Sequence, residues 1–174
     1  MADQLVEFLR NRKEHASAPD IDWQTKKDRW VRSVQKLYEY IEEMLREPIA
    51  SKDVTVKRFD IEVTEDHIGS YIIPALALAV GNERVEFRPK GVTVIGVAGR
   101  VDVRGDRDTV TLFKDSSAPD NAWTVVLQRV PHLRTVALDR ESLKDVLERV
   151  ILGDEIDHGR SLRKKPLLRQ YFSY

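Results

Sequence analysis

Three arginines in the middle of the chain could form a binding site for an anionic group. Arg84, Arg88 and Arg100 fall on the same face of a predicted antiparallel sheet, close to small residues such as Gly96. Because small residues let a partner approach the backbone, this face could hold an anion or a flat ligand. The alternative is a solvated ladder of charge pairs, since Glu86 shares the face and exposed pairs contribute little energy.

The C-terminal segment, residues 160–174, interleaves basic with large apolar side chains and contains no acidic residue. Basic residues beside aromatic rings suit contacts with nucleic-acid phosphates and bases, or with an acidic groove on a protein. The candidate binding residues of this segment are Arg163, Lys164, Lys165, Tyr171 and Phe172. The segment has an equal incentive to fold back onto the core, because it carries six large apolar residues.

A third candidate is a set of carboxylates. Asp60 and Glu62 project together from a predicted strand, and carboxylate oxygens are the ligands that Mg²⁺ and Mn²⁺ prefer. With Glu86 they would support a metal-dependent hydrolase or nuclease, provided that the three carboxylates lay side by side. The other interpretation is a solvated strand edge, because charged residues on edge strands deter aggregation.

Other catalytic patterns are missing from the sequence. The chain has no cysteine, its four histidines are scattered, and it contains no nucleophile elbow, phosphate loop or dinucleotide fingerprint. We therefore predict no catalytic residue, no metal site and no cofactor.

Composition favours a soluble globular protein. Of 174 residues, 41% are hydrophobic and 33% are charged, and the formal net charge is zero. Binding to nucleic acid or to an acidic membrane would therefore need a local basic patch. The start of the chain lacks the features of a signal peptide, and the apolar run of residues 72–80 is too short to span a bilayer. We expect a cytoplasmic protein that does not bind membranes.

Hydrophobic periodicity predicts helices over residues 22–47 and 139–152 and a mostly β region over residues 53–138. Asp20 or Asp22 can cap the first helix, and Asp139 is predicted to cap the second. The β region reads as an antiparallel meander of about five to seven strands with one apolar and one charged face. A sheet of this kind needs helices on one side only, so the fold class is a two-layer α+β architecture with two or three helices covering one face.

The elements suggest a simple domain organisation. Residues 1–159 are predicted to form one α+β domain, with a helical N-terminal part in residues 1–47, and residues 160–174 form a separate tail. Within the meander, a two-residue turn at residues 81–82 places Leu78 opposite Val85. Further turns are predicted at residues 89–91 and 104–107. A two-residue turn at residues 105–106 places Val101 opposite Val110 on the same apolar face.

The helix predicted over residues 22–47 has an unusual polar side. Basic residues precede acidic ones along it: Arg29, Arg32, Lys36, Glu39, Glu43 and Glu47. This order is the reverse of what the helix dipole favours. Two copies laid antiparallel would match basic half against acidic half, which predicts a homodimer through this helix. A solvated polar side is the simpler interpretation.

Taken together, these features predict a non-enzymatic protein–protein interaction module of a bacterial type, such as an adaptor, an immunity protein or an accessory subunit. It would bind its partner through the charged sheet face, the tail, or both. The alternatives are a nucleic-acid-binding protein that uses the basic aromatic tail, and the metal-dependent hydrolase or nuclease.

Overall fold

The chain folds as an antiparallel meander of seven strands with helices before and after it. The computed structural model describes residues 5–7, 9–10, 22–92, 99–115, 117–119, 122–128 and 133–153. Its main helices are α1 (Trp23–Met44), α2 (Arg46–Ala50) and α3 (Arg140–Leu152). The strands, which neighbour one another in chain order, are β1 (Thr55–Glu65), β2 (Gly69–Val80), β3 (Glu83–Gly91), β4 (Gly99–Arg104), β5 (Thr109–Lys114), β6 (Trp123–Gln128) and β7 (Arg134–Ala137).

Helix α1 begins after Asp22, one of the two caps that the sequence allows. The Asp22 carboxylate accepts a hydrogen bond from the backbone N–H of Thr25 at 3.0 Å, which satisfies one of the free donors of the first turn. The helix ends at Met44 rather than at residue 47, and the short helix α2 follows after one turn residue. Pro48 lies inside α2, where its missing N–H costs nothing because the first turn of a helix has no internal acceptor.

The buried side of α1 packs on the centre of the sheet. Trp30 and Tyr38 are almost fully buried, and the Tyr38 hydroxyl donates a 3.1 Å hydrogen bond to the backbone carbonyl of Phe87 on β3. A side chain at Gly99 would overlap the Trp30 ring, so this glycine lets the helix approach β4. The helix is therefore fixed to two strands by close packing and to one of them by a hydrogen bond.

Helix α3 covers the other end of the same face. Its cap is the predicted one: the Asp139 carboxylate accepts from the N–H of Ser142, and the Ser142 hydroxyl accepts from the N–H of Asp139. Arg149 near its C-terminus binds Asp108 at 2.6 Å and so ties the helix to the loop between β4 and β5. The buried side of α3 joins one core cluster with α1 and the sheet.

The first hairpin is longer than the sequence indicates. Strand β2 begins at Gly69 and runs through Pro74, whereas the apolar pattern marks a strand only from Leu76. A proline fits here because β3 pairs with β2 only between Leu76 and Val80, so the missing N–H need not interrupt a ladder. In the next hairpin, between β2 and β3, the predicted pair of Leu78 with Val85 is confirmed.

The register between β4 and β5 differs from the prediction. Val101 lies opposite Leu112, not Val110, because the connection is a four-residue loop rather than a two-residue turn. The Gly105 N–H donates to the Asp108 carbonyl across this loop at 3.1 Å. The observed pairing is shifted by two residues from the predicted one. Because side chains alternate with a period of two, both strands keep their predicted faces.

The predicted α+β fold with a one-sided meander sheet is confirmed. Among the described helices, none has both the length and the apolar character needed to cross a membrane. The tail of residues 160–174 lies outside the described residues, as do Gly96 and Ala98. The division into a domain and a tail stays a prediction.

We expect Tyr38→Phe to lower the free energy of unfolding by about 1 kcal/mol, because it removes a donor to a buried carbonyl. Tyr40→Phe is the matched control: Tyr40 lies on the same helix, is half-buried and donates to no described acceptor, so its change should stay within about 0.5 kcal/mol. Urea denaturation of both variants measures the difference. Equal effects would show that the Tyr38 hydroxyl does not stabilise the contact between α1 and β3.

Candidate functional site

The face of the sheet opposite α1 and α3 is the candidate site. Its charged residues lie on two neighbouring strands and are here called the basic face: Arg84, Glu86, Arg88 and Lys90 on β3, and Arg100, Asp102 and Arg104 on β4. They alternate in sequence with core residues, so the strand period of two sends them away from the helices. Five cations against two carboxylates leave an excess of three positive charges.

On β3, one carboxylate is held between two arginines. Glu86 accepts from Arg84 and from Arg88, each at 2.9 Å. Burial alone would raise the pKa of Glu86, but the two hydrogen bonds outweigh it, so the pKa lies below its ordinary value of 4.5. Arg88 also lies over the Phe59 ring at 5.8 Å. These contacts fix the arginine head groups and leave the Arg84 side chain 64% exposed.

On β4, the equivalent carboxylate is buried. Asp102 is 3% exposed and receives two hydrogen bonds from Arg100, at 2.7 Å and 3.2 Å. This bidentate pair fixes the plane of the guanidinium. Thr111 donates a longer hydrogen bond of 3.4 Å to Asp102, and Arg104 lies 3.9 Å from it, beyond hydrogen-bonding distance. Arg104 therefore keeps its donors available to solvent or to a partner.

The register alternates the signs of charge between the strands. Glu86 lies opposite Arg104, and Arg88 lies opposite Asp102. Cross-strand neighbours of opposite charge stabilise a sheet by a few tenths of a kcal/mol to about 1 kcal/mol each. Glu86 and Asp102 therefore orient Arg84, Arg88 and Arg100, whereas Arg104 lies beyond hydrogen-bonding distance.

Beside β3 and β4, Lys57 on β1 lies across β2 from Glu86 and so belongs to the same side of the sheet. Strands β5 and β6 present short polar and apolar residues there: Thr109, Thr111, Phe113, Thr124 and Val126. Phe113 is half-buried, and Thr111 and Val126 are buried. The positive charge is thus concentrated on β3 and β4.

The structure brings together the three arginines that the sequence singled out. Arg84, Arg88 and Arg100 all belong to the basic face. Sequence reasoning missed Lys90 and Arg104, because it assigned both to turns. Only the observed lengths of β3 and β4, which include them, could correct this. The predicted tail residues, from Arg163 to Phe172, lie outside the described residues.

The structure does not bring the three candidate metal ligands together. Asp60 pairs with Pro74 and Glu62 with Ile72, whereas Glu86 pairs with Ala77. Asp60 is thus three residues, or about 10 Å, further along the sheet than Glu86 and two strands away. No group of three metal-binding side chains occurs within the described residues. These carboxylates do not form a common site.

An apolar groove lies on the helical side of the sheet. It has a volume of about 380 Å³ and lies where α3 meets the C-terminal end of α1. Met44, Leu147 and Leu152 are among its lining residues. The groove is separate from the basic face and contributes no charge to it.

Comparison of the chain with protein families, with curated proteins and with solved structures found no match.

Removing the charge of Glu86 should make the free energy of unfolding depend less on pH. Because folding lowers the pKa of Glu86, its ion pairs contribute fully above about pH 4.5, and the contribution is lost as pH falls through the lower folded pKa. The stability difference between wild type and Glu86→Gln should therefore be largest at neutral pH and shrink under acid. Urea denaturation between neutral pH and the acid range measures it.

The control for this prediction is the same substitution in an Arg84→Gln/Arg88→Gln background. Without its two donors, Glu86 has lost the contacts that lower its pKa, so the acid-sensitive difference should largely disappear. A difference of the same size in both backgrounds would mean that the arginines do not stabilise the Glu86 carboxylate.

Proposed function

We propose that this protein is a non-enzymatic interaction module that holds an acidic protein partner on its basic face. The observation that carries the proposal is an excess of three positive charges on a sheet face that no described helix covers. Charge of one sign on a rigid surface speeds encounter with an oppositely charged surface and orients the partner. Adaptors, immunity proteins and accessory subunits work in this way.

Three of the five cations of this face are suited to recognition because they are already oriented. Arg84 and Arg88 are held by Glu86, and Arg100 is held by Asp102. Side chains that are fixed before binding lose less conformational entropy on binding. Arginine also binds carboxylates through two parallel hydrogen bonds, which gives geometric specificity as well as energy.

The pattern favours an acidic protein over nucleic acid. Binding of single strands usually combines cations with aromatic rings on which bases stack. On the described part of this face, Phe59 lies under Arg88 and Phe113 is half-buried, so neither ring is a free platform. Glu86 and Asp102 would also repel a continuous row of phosphates, whereas a protein can place cations opposite them.

The proposal predicts that Arg84→Ala/Arg88→Ala/Arg100→Ala abolishes capture of the partner from an extract of the source cells. The tagged chain would be used as bait, and bound proteins would be identified by mass spectrometry. The matched control removes three cations outside the basic face, in Lys27→Ala/Arg46→Ala/Lys52→Ala, and should retain the partner. Both variants should show wild-type circular dichroism.

Two results would contradict the proposal. One is equal loss or equal retention of the bound protein in both variants. The other is a bound fraction that consists of nucleic acid and disappears on nuclease treatment, with steep weakening by salt. The second result would support the nucleic-acid alternative, and Arg163, Lys164 and Lys165 of the tail would then be the next residues to replace.

We also infer that the chain forms a homodimer through α1. The charge stripe is exposed on the side away from the core and consists of Arg29, Arg32, Lys36, Glu39 and Glu43 on α1 and Glu47 on α2. Within the chain, Glu43 also pairs with Arg46 and Glu47 with Arg140. Helix α1 has no acidic residue in its first turn and no basic residue in its last, which is the opposite of what its dipole favours. An antiparallel copy, with a two-fold axis near residues 37 and 38, would place Arg32 against Glu43 and Lys36 against Glu39.

Charge-swapped variants test the dimer. An acidic variant, Arg29→Glu/Arg32→Glu/Lys36→Glu, and a basic variant, Glu39→Lys/Glu43→Lys/Glu47→Lys, should each be monomeric alone because like charges would face each other. Mixed, they should form a heterodimer that dissociates as salt rises. Analytical ultracentrifugation measures all three samples beside wild type. A monomeric wild type at low salt, or variants that self-associate like wild type, would exclude this interface.

A further inference from the structure

Strand β3 contains one extra residue, and that residue is Lys90. Pro89 pairs with Val101 and Gly91 pairs with Arg100, so two steps along β3 correspond to one step along β4. Lys90 has no residue opposite it. Bulges of this kind often redirect a side chain next to a functional site. Here the bulge lies at the end of the basic face.

A buried carboxylate holds the bulge in place. Gly91 has φ +135°, and a Cβ there would lie 2.6 Å from the Glu65 carboxyl carbon, so only glycine fits. Glu65 accepts hydrogen bonds from the N–H of Val92 at 3.0 Å and from the hydroxyl of Tyr71 at 2.5 Å. Glu65 is 7% exposed. The position of Lys90 is therefore set by contacts that form part of the fold.

The extra residue enters a cluster of cations. The bulge places Lys90 next to Arg100, and Arg100 and Arg104 lie 2.7 Å and 3.9 Å from the Asp102 carboxylate. Arg88, Arg100, Arg104 and Asp102 all act electrostatically on Lys90. Arg88 and Arg100 are held by carboxylates, but the Lys90 ammonium makes no hydrogen bond or ion pair with any described residue. Lys90 is exposed, so its donors can reach a ligand.

The charge around Lys90 is only partly compensated. Partial burial lowers the pKa of Lys90 most, and Arg104, Arg100 and Arg88 lower it further against the opposing effect of Asp102. A group in this position gains from a nearby anion. An anion bound there would reverse the effect of the three arginines.

We propose that the bulge forms a binding subsite for a phosphate-type dianion. Lys90 and Arg104 are its principal hydrogen-bond donors, and Arg100, oriented by Asp102, lines one side. This subsite rests on the proposed function, since it lies on the basic face. The group of the partner that binds in this subsite is then a phosphate rather than a carboxylate. Lys90, Arg100 and Arg104 carry three positive charges against the single charge of Asp102, which leaves two for a phosphate to neutralise.

The test is an NMR titration of the full-length chain with inorganic phosphate. Phosphate should bind saturably, shift the amide signals of Lys90, Gly91 and Arg104, and raise the pKa of the Lys90 ammonium. Lys90→Met keeps the apolar stem and removes the charge, and it should weaken binding at least about tenfold, because a charged hydrogen bond contributes about 1.5–3 kcal/mol.

The matched control is Lys57→Met, a lysine on the same side of the sheet that lies on β1, across β2 from Glu86 and away from the bulge. It should bind phosphate as wild type does. Equal weakening by both substitutions would show only a general charge effect and would overturn the subsite, as would unchanged binding by Lys90→Met. Failure of wild type to bind phosphate saturably, or binding of acetate as tight as that of phosphate, would also overturn it.

Two further titrations identify the source of the phosphate. An acidic peptide with one phosphoserine is compared with the same peptide unphosphorylated. Tighter binding of the phosphopeptide than of inorganic phosphate, lost in Lys90→Met, supports the subsite and identifies a phosphorylated protein. Phosphate binding without any gain from the peptide supports the subsite for a small phosphate ester and counts against the acidic-partner proposal alone.

Discussion

The packing of α1 on one face of the meander is the contact on which the rest of the structure depends. Trp30 and Tyr38 of α1 are buried against β3 and β4, and Tyr38 bonds the backbone of β3 directly. Burial of large aromatic side chains is among the strongest stabilising contributions in a small core. Because the helices take one face, the charged residues of the same strands are left on the other, and that face becomes the candidate site.

A second constraint acts at the end of β3. Glu65 is buried, yet its carboxylate is satisfied by the Val92 N–H and the Tyr71 hydroxyl. A buried carboxylate is costly unless its oxygens are bonded in this way. The same carboxylate packs against Gly91. The contacts of Glu65 on β1 therefore determine where the neighbouring Lys90 lies. The buried carboxylate of Glu65 on β1 thus sets the position of the exposed Lys90 on β3, two strands away.

The two surfaces that we assign to binding differ in how they are built. The basic face is a paired array in which Glu86 and Asp102 fix the arginines, so that its shape exists before a partner arrives. The stripe on α1 carries its charges in the order that the helix dipole disfavours. A departure from local preference is typical of functional surfaces. The basic face suits a different molecule, and the charge stripe suits a second copy of this chain.

The sequence alone determined the fold class, the capped helix α3, the register between β2 and β3, and the face on which Arg84, Arg88 and Arg100 lie. These follow from local rules: the period of two in strands, the capping of Asp139, and the short turn at residues 81–82. Tertiary structure decided the rest. The four-residue loop between β4 and β5 is tied to α3 by the ion pair of Asp108 with Arg149, and the bulge near the end of β3 packs against Glu65 at Gly91. Neither contact joins residues close in sequence, so no local pattern could have placed Lys90 and Arg104 in the site.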